Sequence, residues 1–213
     1  MAFKSVNPAD GSTVAEIPAF TAGELESALH QAARAAPHWR QLPLAERCRL
    51  MQQAAVVLGD NTEDFARMMT LEMGKPVREA RAEIEKCIWA CKYYAAEGPA
   101  FLADEEINSD AGRSLVAYQP LGTVLAVMPW NFPFWQVFRF AAPALIAGNT
   151  GLLKHASNVP QCAQAIETVF VEAGFPGGVF RTLMIPSAEV KGVIEDPRVQ
   201  AVTLTGSEPA GRQ

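Results

Sequence analysis

The second half of the chain alternates two kinds of segment, and that alternation constrains the fold more than any other feature of the sequence. Gly122-Thr-Val-Leu-Ala-Val-Met128, Thr150-Gly-Leu-Leu-Lys154, Gly178-Val-Phe-Arg-Thr-Leu-Met-Ile185 and Val199-Gln-Ala-Val-Thr-Leu-Thr205 are short and apolar. Between them lie stretches with helical spacing, at about 133–147, 160–173 and 187–195. Unbroken apolar runs suit strands buried on both faces, and strands separated by helices of about 10–15 residues read as β-α-β units. Right-handed crossovers wind such units into a parallel sheet covered on both sides. The expected class is α/β, with helices in front of an incomplete parallel sheet.

The first half reads as helices. Thr21-Ala-Gly-Glu24 has the spacing of a capping box, and Leu25, Ala28, Leu29, Ala32 and Ala36 follow at helical period. A second helix is expected from Leu44 to Leu58, stopped by Gly59. A third, around Phe65, Met68, Met69 and Met73, ends at Gly74. A fourth starts with Pro76 and passes Ile84, Cys87 and Cys91 to Gly98. Glu63, Asp64, Glu83 and Glu85 are expected on solvated faces. Segment 104–121 changes character and predicts a turn joining two short strands.

Composition removes several function classes. With 213 residues, 49% of them hydrophobic, the chain buries a core without staples. Eighteen basic against 23 acidic residues, a net charge of −5, leave no footprint for nucleic acid. Cys48, Cys87, Cys91 and Cys162 are too sparse for a secreted disulfide scaffold, and no histidine lies at metal-ligand spacing from them. No apolar run approaches the ~20 residues of a membrane span. The first residues lack the apolar region of a signal peptide, so a cytoplasmic protein is expected.

Ligands of open parallel sheets bind beyond the carboxyl ends of the strands. Four tips are therefore candidates: Met128 to Pro133, Lys154 to Asn158, Ile185 to Ser187, and Thr205 to Gly211. At the first, Asn131 either stabilises an oxyanion or caps helix 133–147. At the second, Lys154 serves a ribose or phosphate, or snorkels to water. At the fourth, Gly206 and Gly211 have phosphate-loop spacing, but Arg212-Gln213 stands where Lys-Ser/Thr is required, which argues against nucleotide hydrolysis. Gly206-Ser207 still offers a backbone amide and a hydroxyl to a phosphate, or Ser207 is a plain N-cap. The G-x-G-x-x-G fingerprint is missing after the first apolar run, so any dinucleotide is held by another arrangement.

Taken together, Leu71-Glu-Met-Gly-Lys-Pro76, Tyr118-Gln-Pro-Leu-Gly122, Pro129-Trp-Asn-Phe-Pro133, Ala142 to Asn149, Leu153-Lys154, Gly174-Phe-Pro-Gly-Gly178 and Leu204-Thr-Gly-Ser207 resemble, in order and spacing, the aldehyde dehydrogenase superfamily. The succinate-semialdehyde type is the nearest likeness. The resemblance implies an aldehyde as small-molecule substrate. It places Asn131 at the oxyanion, the Trp130 backbone on the cofactor, Lys154 at the adenine ribose, and Gly206 and Ser207 at the pyrophosphate. Ser157 stands where NAD-preferring members commonly carry glutamate, which implies NADP, with NAD as the alternative. Arg139 stands where the succinate-semialdehyde type has a clamp for the distal carboxylate. His155 and Leu204 depart from the commoner proline and phenylalanine.

The same resemblance implies a cysteine nucleophile and a glutamate base in Gly-Gln-x-Cys and Glu-Leu-Gly-Gly contexts, neither of which occurs here. The chain is therefore expected to be the front of a longer, oligomeric enzyme, cut inside a phosphate-binding helix start, with some sheet surface left uncovered. Its expected parts are 1–104, the helical portion; 105–120, an oligomerisation strand region; and 121–213, a Rossmann-like cofactor-binding portion. The alternatives are a non-catalytic cofactor-binding or assembly module, and an aldehyde dehydrogenase of other specificity.

Overall fold

A computed structural model describes residues 2–212. The chain opens with an antiparallel hairpin, β1 (Ala2–Val6) and β2 (Thr13–Pro18), where helices alone were expected. Its turn is built by side chains: Asn7 Oδ1 accepts from the Ala9 amide at 3.0 Å, and Asp10 Oδ1 from the Ser12 amide at 2.9 Å. Such Asx turns are the local signal that the Asn-Pro and Asp-Gly pairs carried.

Four helices follow: α1 (Ala22–Gln41), α2 (Leu44–Asp60), α3 (Thr62–Met73) and α4 (Val77–Phe101). The capping box of Thr21 and Glu24 is complete in both directions. Gly74 ends α3 in the left-handed region at φ +79°, as expected of a stop. Gly59 and Gly98 are not stops. Both lie inside their helices; at Gly98 a Cβ would sit 2.9 Å from Ile146, so close packing explains that glycine, whereas at Gly59 a Cβ would make only an ordinary contact at 3.9 Å. Pro76 is the N-cap residue of α4 rather than its first turn. The turn region gives two short antiparallel strands, β3 (Glu105–Glu106) and β4 (Leu115–Val116).

The remainder is β5 (Thr123–Met128), α5 (Pro133–Ile146), β6 (Thr150–His155), α6 (Pro160–Glu172), β7 (Phe180–Thr182), a 3₁₀ turn at Ser187–Glu189, α7 (Val190–Ile194), β8 (Val199–Leu204) and the short α8 (Glu208–Gly211). Four strands form a parallel sheet in the order β7-β6-β5-β8. The third strand is shorter than its apolar run. The Ile185 amide turns back to Leu183 O at 2.9 Å, and Met184 O accepts from Phe20 N at 2.7 Å, so the chain leaves the ladder there.

Alternate residues of the sheet pack on opposite layers. Ala126, Met128 and Leu153 meet α2 to α6 through Phe134, Phe138 and Phe170. Leu125 and Leu152 meet α1 and α7 through Ala28, Leu29, Ala32 and Val193. On edge strand β8, Val202 and Leu204 remain exposed. No described helix is long and apolar enough to cross a membrane.

The helical front holds α5 at both ends. Trp39 Nε1 donates to Leu145 O at 2.9 Å, which also accepts from the Gly148 amide, and Arg47 Nε donates to Ile146 O at 2.8 Å, at the carbonyl end of the helix. At the other end stands Glu83, buried rather than solvated. A side chain on α4 is near enough to reach the open amides of α5, and a carboxylate is favoured there by the helix dipole.

Candidate active site

A parallel sheet opens a crevice where its winding reverses. From β5 the chain steps outward to β6 and β7, then returns to β8 on the other side of β5. The reversal therefore falls between β5 and β8. The segments leaving these strands are Pro129-Trp130-Asn131-Phe132 and Thr205-Gly206-Ser207, the first and fourth of the expected tips. Trp130, Asn131, Gly206 and Ser207 are all exposed there. A cleft of about 400 Å³ lined by Phe20, Glu167, Arg181 and Thr182 belongs instead to the outer edge beside β7.

Asn131 does not cap α5. The N-cap residue is Phe132, with no cap bond from its side chain. The amides of Phe134 and Trp135 both donate to Glu83 Oε1, at 2.9 Å each. Glu83 Oε2 in turn pairs with Lys75, and both side chains are buried. Lys75 Nζ also lies 3.8 Å from the centre of the Phe132 ring. The competing local explanation for Asn131 is thereby removed.

The adjacent helix start is closed in the same manner. Glu72, from α3, accepts from the Gln161 and Cys162 amides of α6 at 2.8 and 2.9 Å. Two helix N-termini beyond the sheet are thus occupied by the chain's own carboxylates. The turn after β8 has no such carboxylate. Ser207 sits at the N-cap position of α8, as one reading of it held, but its hydroxyl makes no cap bond. Gly206 has no positive φ, and a Cβ there would meet only ordinary contacts at 3.5 and 3.6 Å. Nothing within the chain requires glycine at that position, whereas a ligand lying on the backbone would.

Lys154 does not snorkel. It is 6% exposed at the end of β6, on the α1/α7 side, and its Nζ donates to His155 O at 3.0 Å. Burial lowers its pKa. Ser157 lies exposed in the turn that follows. His155, on the opposite side, is buried with Nε2 2.9 Å from Pro133 O. That carbonyl only accepts, so Nε2 carries the proton. Burial foremost, then the cationic Lys154 beside it, pushes the imidazole pKa down to about 4.

Arg139, exposed on α5, donates through Nη2 to Thr205 Oγ1 at 3.2 Å. It thus joins the helix after β5 to the turn after β8. Among the described residues it makes no ion pair. Asn131 and Gly206-Ser207 thus follow the ends of the paired strands β5 and β8, with Arg139 reaching the second of these turns and Lys154 and Ser157 at the neighbouring strand tip.

Residues 1–213 match the aldehyde dehydrogenase family. The chain belongs to that family.

Among aldehyde dehydrogenases, the chain is 53% identical over 211 residues to a probable NADP(+) succinate-semialdehyde dehydrogenase of Synechocystis sp., covering 99% of this chain and 46% of that one. It is 49% identical to the NADP(+) succinate-semialdehyde dehydrogenase 1 of Mycobacterium bovis, covering 100% and 47%. The crystal structure of succinic semialdehyde dehydrogenase from Streptococcus pyogenes, in complex with NADP+, superposes with a TM-score of 0.96 at 36% identity, over 99% of this chain and 47% of that one. The chain therefore spans about half the length of the relatives it matches.

Cys48, Cys87, Cys91 and Cys162 are all buried, and burial raises every one of their pKa values. A buried thiol with a raised pKa is a poor nucleophile. Glu72 and Glu83, by contrast, are buried helix-capping residues to which sequence reading assigned no role. Their local signal is a carboxylate on a helix face that is otherwise apolar.

Proposed function

We propose that the chain carries the oxyanion-binding amide and the adenosine-side contacts of an NADP-dependent aldehyde dehydrogenase acting on succinate semialdehyde. The observation that carries this reading is Asn131, an amide at the sheet's switch point that no helix cap consumes. In an aldehyde dehydrogenase a cysteine thiolate adds to the aldehyde carbon, and the C=O electron pair moves onto oxygen. A preorganised amide N–H beside that oxygen stabilises the charge as it develops. The bound nicotinamide supplies the acceptor for hydride. A glutamate-activated water then releases the acid from the thioester.

The residues present fit the cofactor. Gly206 leaves backbone room and Ser207 a free hydroxyl for the pyrophosphate, and Trp130 follows the neighbouring strand β5. Lys154 provides an N–H donor for the ribose. Ser157 is neutral and able to donate, so nothing at that position repels a 2′-phosphate. NADP is the cofactor this arrangement favours. The relatives named for NADP(+) and succinate semialdehyde support the same reading.

Arg139 is the proposed clamp for the substrate's distal carboxylate, because a guanidinium without an ion pair at the crevice suits a planar anion. In the complete enzyme, Arg139→Ala is expected to raise KM for succinate semialdehyde by about tenfold to a hundredfold, the worth of a charge-assisted bond. Butanal, which has no carboxylate, is expected to change little. An unchanged preference between the two aldehydes removes the clamp, and weaker NADP+ binding instead would assign Arg139 to the phosphate side.

The two-strand region 105–120 is proposed as an assembly strand of the oligomer, supported by the exposed Ile107, Leu115, Val116 and Tyr118. The 213-residue chain alone, whose four cysteines are all buried, is expected to form no NADPH from succinate semialdehyde.

A further inference from the structure

We infer that Lys75 and Glu83 are positioning residues for Asn131, an inference that rests on the oxyanion reading above. An amide that stabilises a transition state must be held within a fraction of an ångström, since a misplacement of ~1 Å costs on the order of a hundredfold in rate. Asn131 lies in an exposed loop and is not a helix cap, so its precision comes from its flanks.

On one side is β5, fixed in the centre of the sheet. On the other, each of the next four residues is held from outside the loop. Phe132 has Lys75 Nζ over its ring at 3.8 Å. Pro133 O accepts from His155 at 2.9 Å. The amides of Phe134 and Trp135 donate to Glu83 Oε1, whose partner oxygen holds Lys75. One carboxylate thus joins the helix start to the lysine, and the lysine covers the residue next to Asn131.

Glu72 provides an internal control. It closes α6 with both of its oxygens and, among the described residues, without any cationic partner. Capping a helix in this protein therefore needs no lysine. What Lys75 adds at Glu83 is the contact with Phe132. A buried ion pair is in general weak evidence for stability, since apolar replacements often do as well. Its presence beside a loop that needs exact placement has a different explanation in positioning.

The test is a set of double-mutant cycles in the complete enzyme. Lys75→Met leaves Glu83 to cap α5 but removes the cover from Phe132, and Glu83→Gln keeps a neutral acceptor while releasing the lysine. Each is made in the wild type and in Asn131→Ala, with melting curves to show that the variants fold. With Asn131 present, each substitution is expected to lower kcat by about tenfold or more while KM moves less than about twofold. With Asn131→Ala, the same substitutions are expected to have little further effect. Lys75→Arg, which keeps the charge, is expected to restore most of kcat. Equal losses in both backgrounds would overturn the positioning role and leave a structural one. Should Asn131→Ala itself leave kcat unchanged, the oxyanion reading fails, and that result is distinct from additivity.

Discussion

A histidine sealed between a strand end and a helix start makes this protein sensitive to acid. His155 is neutral in the fold, donating from Nε2 to Pro133 O, and its pKa of about 4 lies below the ~6.5 of the unfolded chain. The folded state thus binds fewer protons between these values. Its neutral-state stabilisation is complete above about pH 6.5 and is lost as pH falls through about 4, a change of about 3 kcal/mol. Urea midpoints from pH 7 to pH 4 are expected to fall more steeply for the wild type than for His155→Gln, which cannot protonate. Equal slopes would show that His155 does not titrate this way. At the same scale, the places of Lys154, Asn131 and Gly206-Ser207 at strand ends were legible in the sequence, because each stands at the end of an apolar run. Glu83 was not. A glutamate on an amphipathic helix looks solvated until the helix that it caps, 51 positions away, is known.

Among the elements, helices were easier to read than their ends. Periodicity fixed α1 to α4, but Gly59 and Gly98 were read as stops because glycine is the commonest one. Only packing separates the two positions. A Cβ at Gly98 would sit 2.9 Å from Ile146 Cγ2, in the buried seam between α4 and α5, whereas one at Gly59 would meet Ile88 Cδ1 at 3.9 Å. Gly98→Ala is expected to destabilise by about 1–3 kcal/mol through overpacking. Gly59→Ala is expected to be neutral or stabilising by up to about 1 kcal/mol through helix propensity. Thermal or urea unfolding of both variants checks the contrast, and equal effects would contradict it. The opening hairpin escaped notice for a related reason. Its strands are five and six residues long, and its turn depends on side-chain bonds rather than on an apolar period.

At the scale of the whole molecule, the chain is a doubly wound sheet with a helical layer that serves the crevice. Glu72 and Glu83 close two helix starts, while the turn after β8, beside the switch point, carries no such carboxylate cap. The parallel sheet was readable from its unbroken apolar runs. Which tips meet was not, because strand order depends on where the chain crosses back, and that is decided by packing of α1 and α7 on the second face. In the proposed cofactor reading, Ser157 is neutral where a glutamate would repel a 2′-phosphate, and Lys154 lies buried three residues before it. The central claim is therefore tested most directly by the ratio of kcat/KM for NADP+ over NAD+ in the complete enzyme with succinate semialdehyde. The expected ratio is above one and falls by about tenfold or more in Ser157→Glu, a like-charge effect. A wild-type ratio below one would contradict the account.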